Sequence, residues 1–117
     1  MAEPFGDWED VTAFALALPG AELSTSYGRP AVKVRSKAFL YPGREEGSFA
    51  VASPLPEKGM LIETDPETFW ETDHYRGWPA VLVRFGSPDR ERIETVIQRA
   101  WWDRASKAQR AGRGERP

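Results

Sequence analysis

The stretch Ala31-Val32-Lys33-Val34-Arg35-Ser36-Lys37-Ala38-Phe39-Leu40-Tyr41 decides the fold. From Ala31 the side chains alternate with a period of two: Val32 and Val34 point one way, Lys33 and Arg35 the other. A half-buried strand requires that alternation. Ser36-Lys37 turns the chain into Ala38 to Tyr41, completing a hairpin. Pro42-Gly43-Arg44-Glu45-Glu46-Gly47 is a second loop, and Ser48 to Ala52 a third strand.

Before this unit lies a helix. Asp7 caps it, and Trp8, Val11, Phe14, Ala15 and Leu18 recur at helical spacing until Pro19-Gly20 ends it. Ser24-Thr25-Ser26-Tyr27-Gly28 reads as a polar turn. After the three strands, Pro54 and Pro56 open a helical segment from Glu57 to Thr64, and Asp65-Pro66-Glu67 gives one short turn. Phe69 to Thr72 and Pro79 to Phe85 read as strands joined by Asp73 to Trp78. Ser87-Pro88-Asp89 starts the last helix, with Ser87 as its cap and Ile93, Val96, Ile97, Ala100 and Trp101 as its apolar stripe. The expected fold is α+β: two layers, a mostly antiparallel five-stranded sheet with helices packed on it, in the order α-β-β-β-α-β-β-α. The 117 residues suffice for one core and are too few for two, so one domain is expected over 1–117. Its ordered part is expected at about 7–106, with a disordered basic tail over 107–117.

There is no Cys, which removes thiolate metal sites and a Cys nucleophile and fits a reducing compartment. No signal peptide is visible in Met1-Ala2-Glu3-Pro4-Phe5-Gly6, and no apolar run is long enough to cross a membrane, so a cytoplasmic protein is expected. The net charge of −2 is uneven: residues 1–98 carry a balance of −6 and residues 99–117 one of +4. The basic tail is either simply solvated or adds attraction for an acidic partner.

Catalytic chemistry finds little to use. His74 is the only histidine, so a His-based zinc site lacks ligands. Asp65, Glu67 and Asp73 could serve a hard cation, but each has a place in a turn or strand connection. Asp73 and His74 are neighbours whose side chains diverge in an extended segment, which disfavours a triad. No Gly-x-Ser-x-Gly elbow, Walker loop or dinucleotide fingerprint occurs. The expectation is a protein that is not an enzyme and carries no metal or cofactor. A small-molecule pocket beside His74 and Tyr75 is the remaining enzymatic alternative.

Two constellations invite binding instead. Arg29, Lys33, Arg35 and Lys37 occupy odd positions around the first strand, with no acid between Glu22 and Glu45. On one sheet face they would suit phosphates, or equally form a solvated face that discourages edge pairing. Asp73-His74-Tyr75-Arg76-Gly77-Trp78-Pro79 gathers His, Tyr, Arg and Trp in one connection. It reads as a stacking surface or as a structural corner folded over the core. Trp102 falls nearly opposite the last helix's apolar stripe, so a partner, or the tail, should cover it.

Leu18-Pro19-Gly20-Ala21-Glu22, Thr25-Ser26-Tyr27-Gly28-Arg29-Pro30, Lys33-Val34-Arg35-Ser36-Lys37 and Thr72-Asp73-His74-Tyr75-Arg76-Gly77-Trp78-Pro79-Ala80-Val81-Leu82-Val83 together resemble the MmcQ/YjbR family. The match runs from Asp7 to about Ser106. The resemblance implies a CyaY-like, secretion-chaperone-like fold with three strands, then two, among three helices. It also implies DNA binding, since that architecture has been likened to a double-wing nucleic-acid binder. On this basis Arg29, Lys33, Arg35, Lys37, Tyr75, Arg76 and Trp78 are the expected DNA contacts, weak and salt-dependent. The competing expectation is a protein-interaction module, binding a peptide, a partner or a second copy through His74 or Trp102.

Overall fold

The carboxylate of Asp7 accepts a hydrogen bond from the Asp10 amide at 2.9 Å and starts α1 (Trp8–Leu16). The computed structural model describes residues 3–117. After α1 come β1 (Glu22–Ser26), β2 (Arg29–Val34), β3 (Lys37–Pro42), β4 (Ser48–Ala52), α2 (Leu55–Thr64), β5 (Phe69–Trp70), β6 (Ala80–Arg84), α3 (Arg90–Arg104) and α4 (Lys107–Arg110). The strands form one antiparallel sheet in the order β1-β2-β3-β4-β6-β5.

One face of the sheet carries two apolar rows set by the register: Val32–Leu40–Val51–Val81, and Phe49–Val83–Phe69. Against them pack Val11 and Ala15 of α1, Leu61 of α2, and Ile93, Val96, Ile97, Ala100 and Trp101 of α3. Burial of each such large side chain contributes roughly 1.5–3 kcal/mol. The Trp101 indole N–H, buried with its ring, donates to the carbonyl of Pro19 at 2.8 Å, fixing the end of α1 to α3. Phe5 is also fully buried, edge-on to Phe14 and Phe49, with the Arg90 guanidinium 4.0 Å from its ring centre. A bulge in β3 explains why Phe39 and Leu40 are both buried: Val32 pairs with Leu40 but Lys33 with Ala38, so Phe39 is the extra residue.

The α+β, two-layer reading holds, with one strand more than expected. Of the segment expected as a polar turn, Tyr27-Gly28 is one, but Ser24 to Ser26 belong to β1, the sheet's edge. Its side chains are mostly exposed, so it lacks the apolar alternation that marks a strand. Pairing with β2 through a tight turn makes it one; Tyr27 and Gly28 there have φ of 52° and 77°. The β2–β3 turn is Arg35-Ser36 rather than Ser36-Lys37, again with two positive φ values, 53° and 65°. Two such residues in succession give the primed turn that matches strand twist.

At α3 the cap is Asp89, whose carboxylate accepts from the Arg92 amide at 3.2 Å. Ser87 is instead buried, its hydroxyl 2.6 Å from that of Thr68. The segment expected to be disordered after residue 106 carries α4, closed by a reciprocal capping box between Ser106 and Gln109. Beyond α4, Arg116 meets Glu57 of α2 and Asp103 of α3, and Arg99 donates to the carbonyl of Pro117 at 2.8 Å. Low apolar content hides such an attachment, because charged partners from distant elements supply it. The Arg116 guanidinium, bonded to both oxygens of Glu57, holds that carboxyl below its ordinary value. No described helix is long and apolar enough to cross a membrane.

Candidate nucleic-acid interface

The sheet's second face carries a cross-strand row of its own, Tyr41–Ala50–Leu82–Trp70. Ala50 and Leu82 are fully buried there although they stand outside the helix-packed core. Arg84 covers Trp70, its guanidinium 3.8 Å from the ring centre while its Nε donates to the carbonyl of Glu67. Tyr41 is half-buried, which raises its phenol above the ordinary value.

The Asp73–Pro79 connection is held at several points. The Tyr75 hydroxyl accepts from the Arg44 amide at 3.2 Å, tying the turn to the β3–β4 loop. At the other end of the same residue, its carbonyl accepts from Lys58 Nζ at 2.7 Å. Lys58 also donates to the carbonyl of Trp78 at 2.9 Å and pairs with Glu71 at 2.9 Å, although its side chain is only 3% exposed. A buried ammonium with three oxygen partners is satisfied in full. Sequence reasoning missed Lys58 and Glu71. The available signal was spacing: Lys58 lies three residues before Leu61, on the inward face of α2.

Register decides which expected contacts share a location. Val34 pairs with Lys37, Leu40 with Val51, and Ala52 with Ala80. The Arg35-Ser36 turn and the Asp73–Pro79 connection therefore leave the sheet at the same end. They are separated by two to three strand spacings, about 10–15 Å. Lys33, Arg35 and Lys37 lie at this end, where the connection that carries Arg76 and Trp78 meets the sheet, while Tyr75 in its middle reaches Arg44 in the loop at the opposite end. Arg29 does not lie at the hairpin end: it starts β2, about 17 Å further along at the usual rise per residue, next to the Tyr27-Gly28 turn.

The basic residues also fail to share one face. Directly opposed residues in an antiparallel pair point the same way. Lys37, opposite Val34, lies on the helix-packed side, whereas Lys33, opposite Ala38 and Glu22, lies on the other. The turn placed one residue earlier than expected causes the split. At the hairpin tip the two sides meet, so the cations form a cluster around an end, not a stripe.

Within the aromatic turn, Arg76 and Asp73 form an exposed ion pair at 2.8 Å, and His74 lies edge-on to Tyr75. Tyr75 is a structural pin. Trp78 is 64% exposed. Trp102 is half-buried beneath the tail, with the Arg110 guanidinium 5.1 Å from its ring centre and Arg110 Nε donating to its carbonyl. A groove of about 230 Å³ lined by Gln98, Trp101, Trp102, Gly112, Arg113 and Pro117 lies between α3 and the tail, away from His74 and Tyr75.

Comparison with known proteins agrees with this architecture. The chain is 28% identical over 116 residues to uncharacterized proteins of Mycobacterium tuberculosis (Rv2570) and Mycobacterium bovis (Mb2600), covering 86% of this chain and 89% of each of them. The crystal structure of Deinococcus radiodurans protein DR2400, a DUF419 domain, superposes with a TM-score of 0.72 at 14% identity, covering 94% of this chain and 89% of that one. At that identity the likeness is one of fold. The YjbR family profile matches residues 16–102, from the end of α1 to Trp102 in α3. With that match spanning most of the chain, this protein belongs to the YjbR family.

Proposed function

We propose that this protein is a DNA-binding protein that acts by binding and not by catalysis. It would meet phosphates with the sheet end formed by the β2–β3 hairpin and the Asp73–Pro79 turn. The observation that carries the reading is that the connection bearing Arg76 and Trp78 leaves the sheet at the same end as the hairpin bearing Lys33, Arg35 and Lys37. The overall charge of −2 opposes binding, and so do Glu22, opposite Lys33, and Asp73, paired with Arg76. The acidic body beyond a Debye length of about 8–10 Å is screened, which leaves Arg35 and Lys37 as the charges on which the reading chiefly rests. Binding is then weak, tolerant of sequence and steeply salt-dependent.

The test is fluorescence anisotropy with a labelled oligonucleotide over a salt series. Affinity should fall linearly with the logarithm of salt, and Arg35→Ala or Lys37→Ala should each reduce the slope by about one. Absence of binding at low salt, or slopes unchanged in both variants, would overturn the reading.

One observation favours a second reading, a protein-interaction module. Among the described residues the outer edge of β1 has no neighbour, and Leu23 and Tyr27 are exposed beside it. β1 contains no Lys, Pro or bulge, the usual guards of a free edge. Light scattering decides this: a dimer that Leu23→Lys dissociates supports edge pairing, and a monomer at all concentrations removes it.

A further inference from the structure

Trp78 differs from the protein's four other tryptophans. Trp8 packs against the core, Trp70 lies under Arg84, Trp101 is buried with its N–H bonded, and Trp102 lies under Arg110. The Trp78 ring is 64% exposed, and among the described residues no aromatic or cationic group stacks on it. Its backbone, in contrast, is fixed. The Trp78 amide donates to Tyr75 at 3.0 Å, and its carbonyl accepts from the Ala80 amide at 2.8 Å and from buried Lys58 at 2.9 Å. Gly77, with φ of 78°, makes the turn just before it, and Pro79 restricts the backbone just after. A flat apolar ring is thus displayed to solvent on a braced turn.

We infer that Trp78 stacks on an unpaired base, so that the nucleic acid recognised is single-stranded. The inference rests on the nucleic-acid reading above and adds to it. Cations attract the phosphates of duplex and single strand alike, and so do not choose between them. An indole face does choose. Bases within a duplex already stack on their neighbours, whereas a single strand offers free faces, and any base will serve. The turn needs no ordering when the base arrives, because Lys58 has already set it. The connection bearing Trp78 leaves the sheet about 10–15 Å from the hairpin, a span that about two to four nucleotides of one strand cover at or somewhat beyond the stacked rise. A strand stacked at Trp78 would therefore run its phosphates past Arg35 and Lys37.

The experiment compares a short oligothymidylate with a mixed-sequence duplex of equal length, both at low salt, on the full chain. The single strand should bind at least about tenfold more tightly. Trp78→Ala should weaken the single strand about tenfold and leave its salt slope unchanged, while Trp78→Phe retains most of the affinity. Trp78 is exposed, so its variants should keep the wild-type melting temperature. Equal affinity for duplex and strand, or an unaffected Trp78→Ala, overturns the single-strand inference while the phosphate reading stands. No binding of either probe overturns the phosphate reading itself, and this inference with it.

Discussion

The ammonium of Lys58 donates to the carbonyl oxygen of Trp78 at 2.9 Å, joining α2 to a turn 20 residues later. With the bond to Tyr75 and the ion pair to Glu71, one buried side chain fixes the shape of the aromatic turn.

Replacing that ammonium removes the tie between α2 and the turn. Lys58→Met leaves each of the two carbonyls with one amide donor only and the Glu71 carboxylate without its partner, and should cost about 2–3 kcal/mol, measured by urea unfolding. Glu71, one-third exposed, is better served by water, so Glu71→Gln should cost no more than about 1 kcal/mol. Equal losses for the two variants would show that the ion pair, and not the carbonyl bonds, braces the turn.

The β2–β3 turn sets stability against binding. Arg35 and Ser36 both hold positive φ, where Asn and Gly are preferred. The double variant Arg35→Asn, Ser36→Gly should raise stability by about 0.5–1 kcal/mol. Losing the Arg35 cation should also reduce the salt slope for DNA by about one. Thermal unfolding and anisotropy read the two effects separately.

The tail contact should depend on pH in a definite direction. Arg116 lowers the carboxyl of Glu57 from its ordinary 4.5. A lowered folded-state value stabilises the protein above the ordinary value, and that stability is lost as pH falls through the lowered one. Arg116→Ala should therefore cost about 0.5–1 kcal/mol at neutral pH, a solvent-screened figure. The difference from wild type should shrink as the pH drops below 4.5. A difference independent of pH would mean that packing, and not charge, holds the tail.

Trp102 bears on the idea of a partner surface. It packs against the core beneath Arg110, so Trp102→Ala should lower stability by about 1–2 kcal/mol. The mass in light scattering should stay the same. A change of mass without loss of stability would assign the ring to an interface.

Helices and inner strands were legible where apolar spacing reports burial: Val11 and Ala15 in α1, Val32 and Val34 in β2, Ile93 to Trp101 in α3. β1 was not, because an edge strand with exposed side chains owes its conformation to backbone pairing, which leaves no mark on side-chain pattern. Among the site residues, the sequence named Lys33, Arg35, Lys37, Arg76 and Trp78 by their chemistry. It could not separate Tyr75 as a pin from Trp78 as a free ring, since the Arg44 amide that binds Tyr75 lies 31 residues away.

What the sequence determined by itself, then, was the α+β class, the helix-packed core and the residue types available for binding, because local spacing and capping encode these. Tertiary structure alone decided which cations stand together. The β2–β3 turn sits one residue earlier than the local pattern suggests, which takes Lys37 out of the turn and into β3 opposite Val34, on the side away from Lys33. The antiparallel register then carries Arg29 to the far end and brings the aromatic turn to the near one. The physical reason is that directly opposed residues share a face, so the cross-strand partner, Val34 for Lys37 and Ala38 for Lys33, decides the side each cation takes, and that pairing is set by the sheet and not by local spacing.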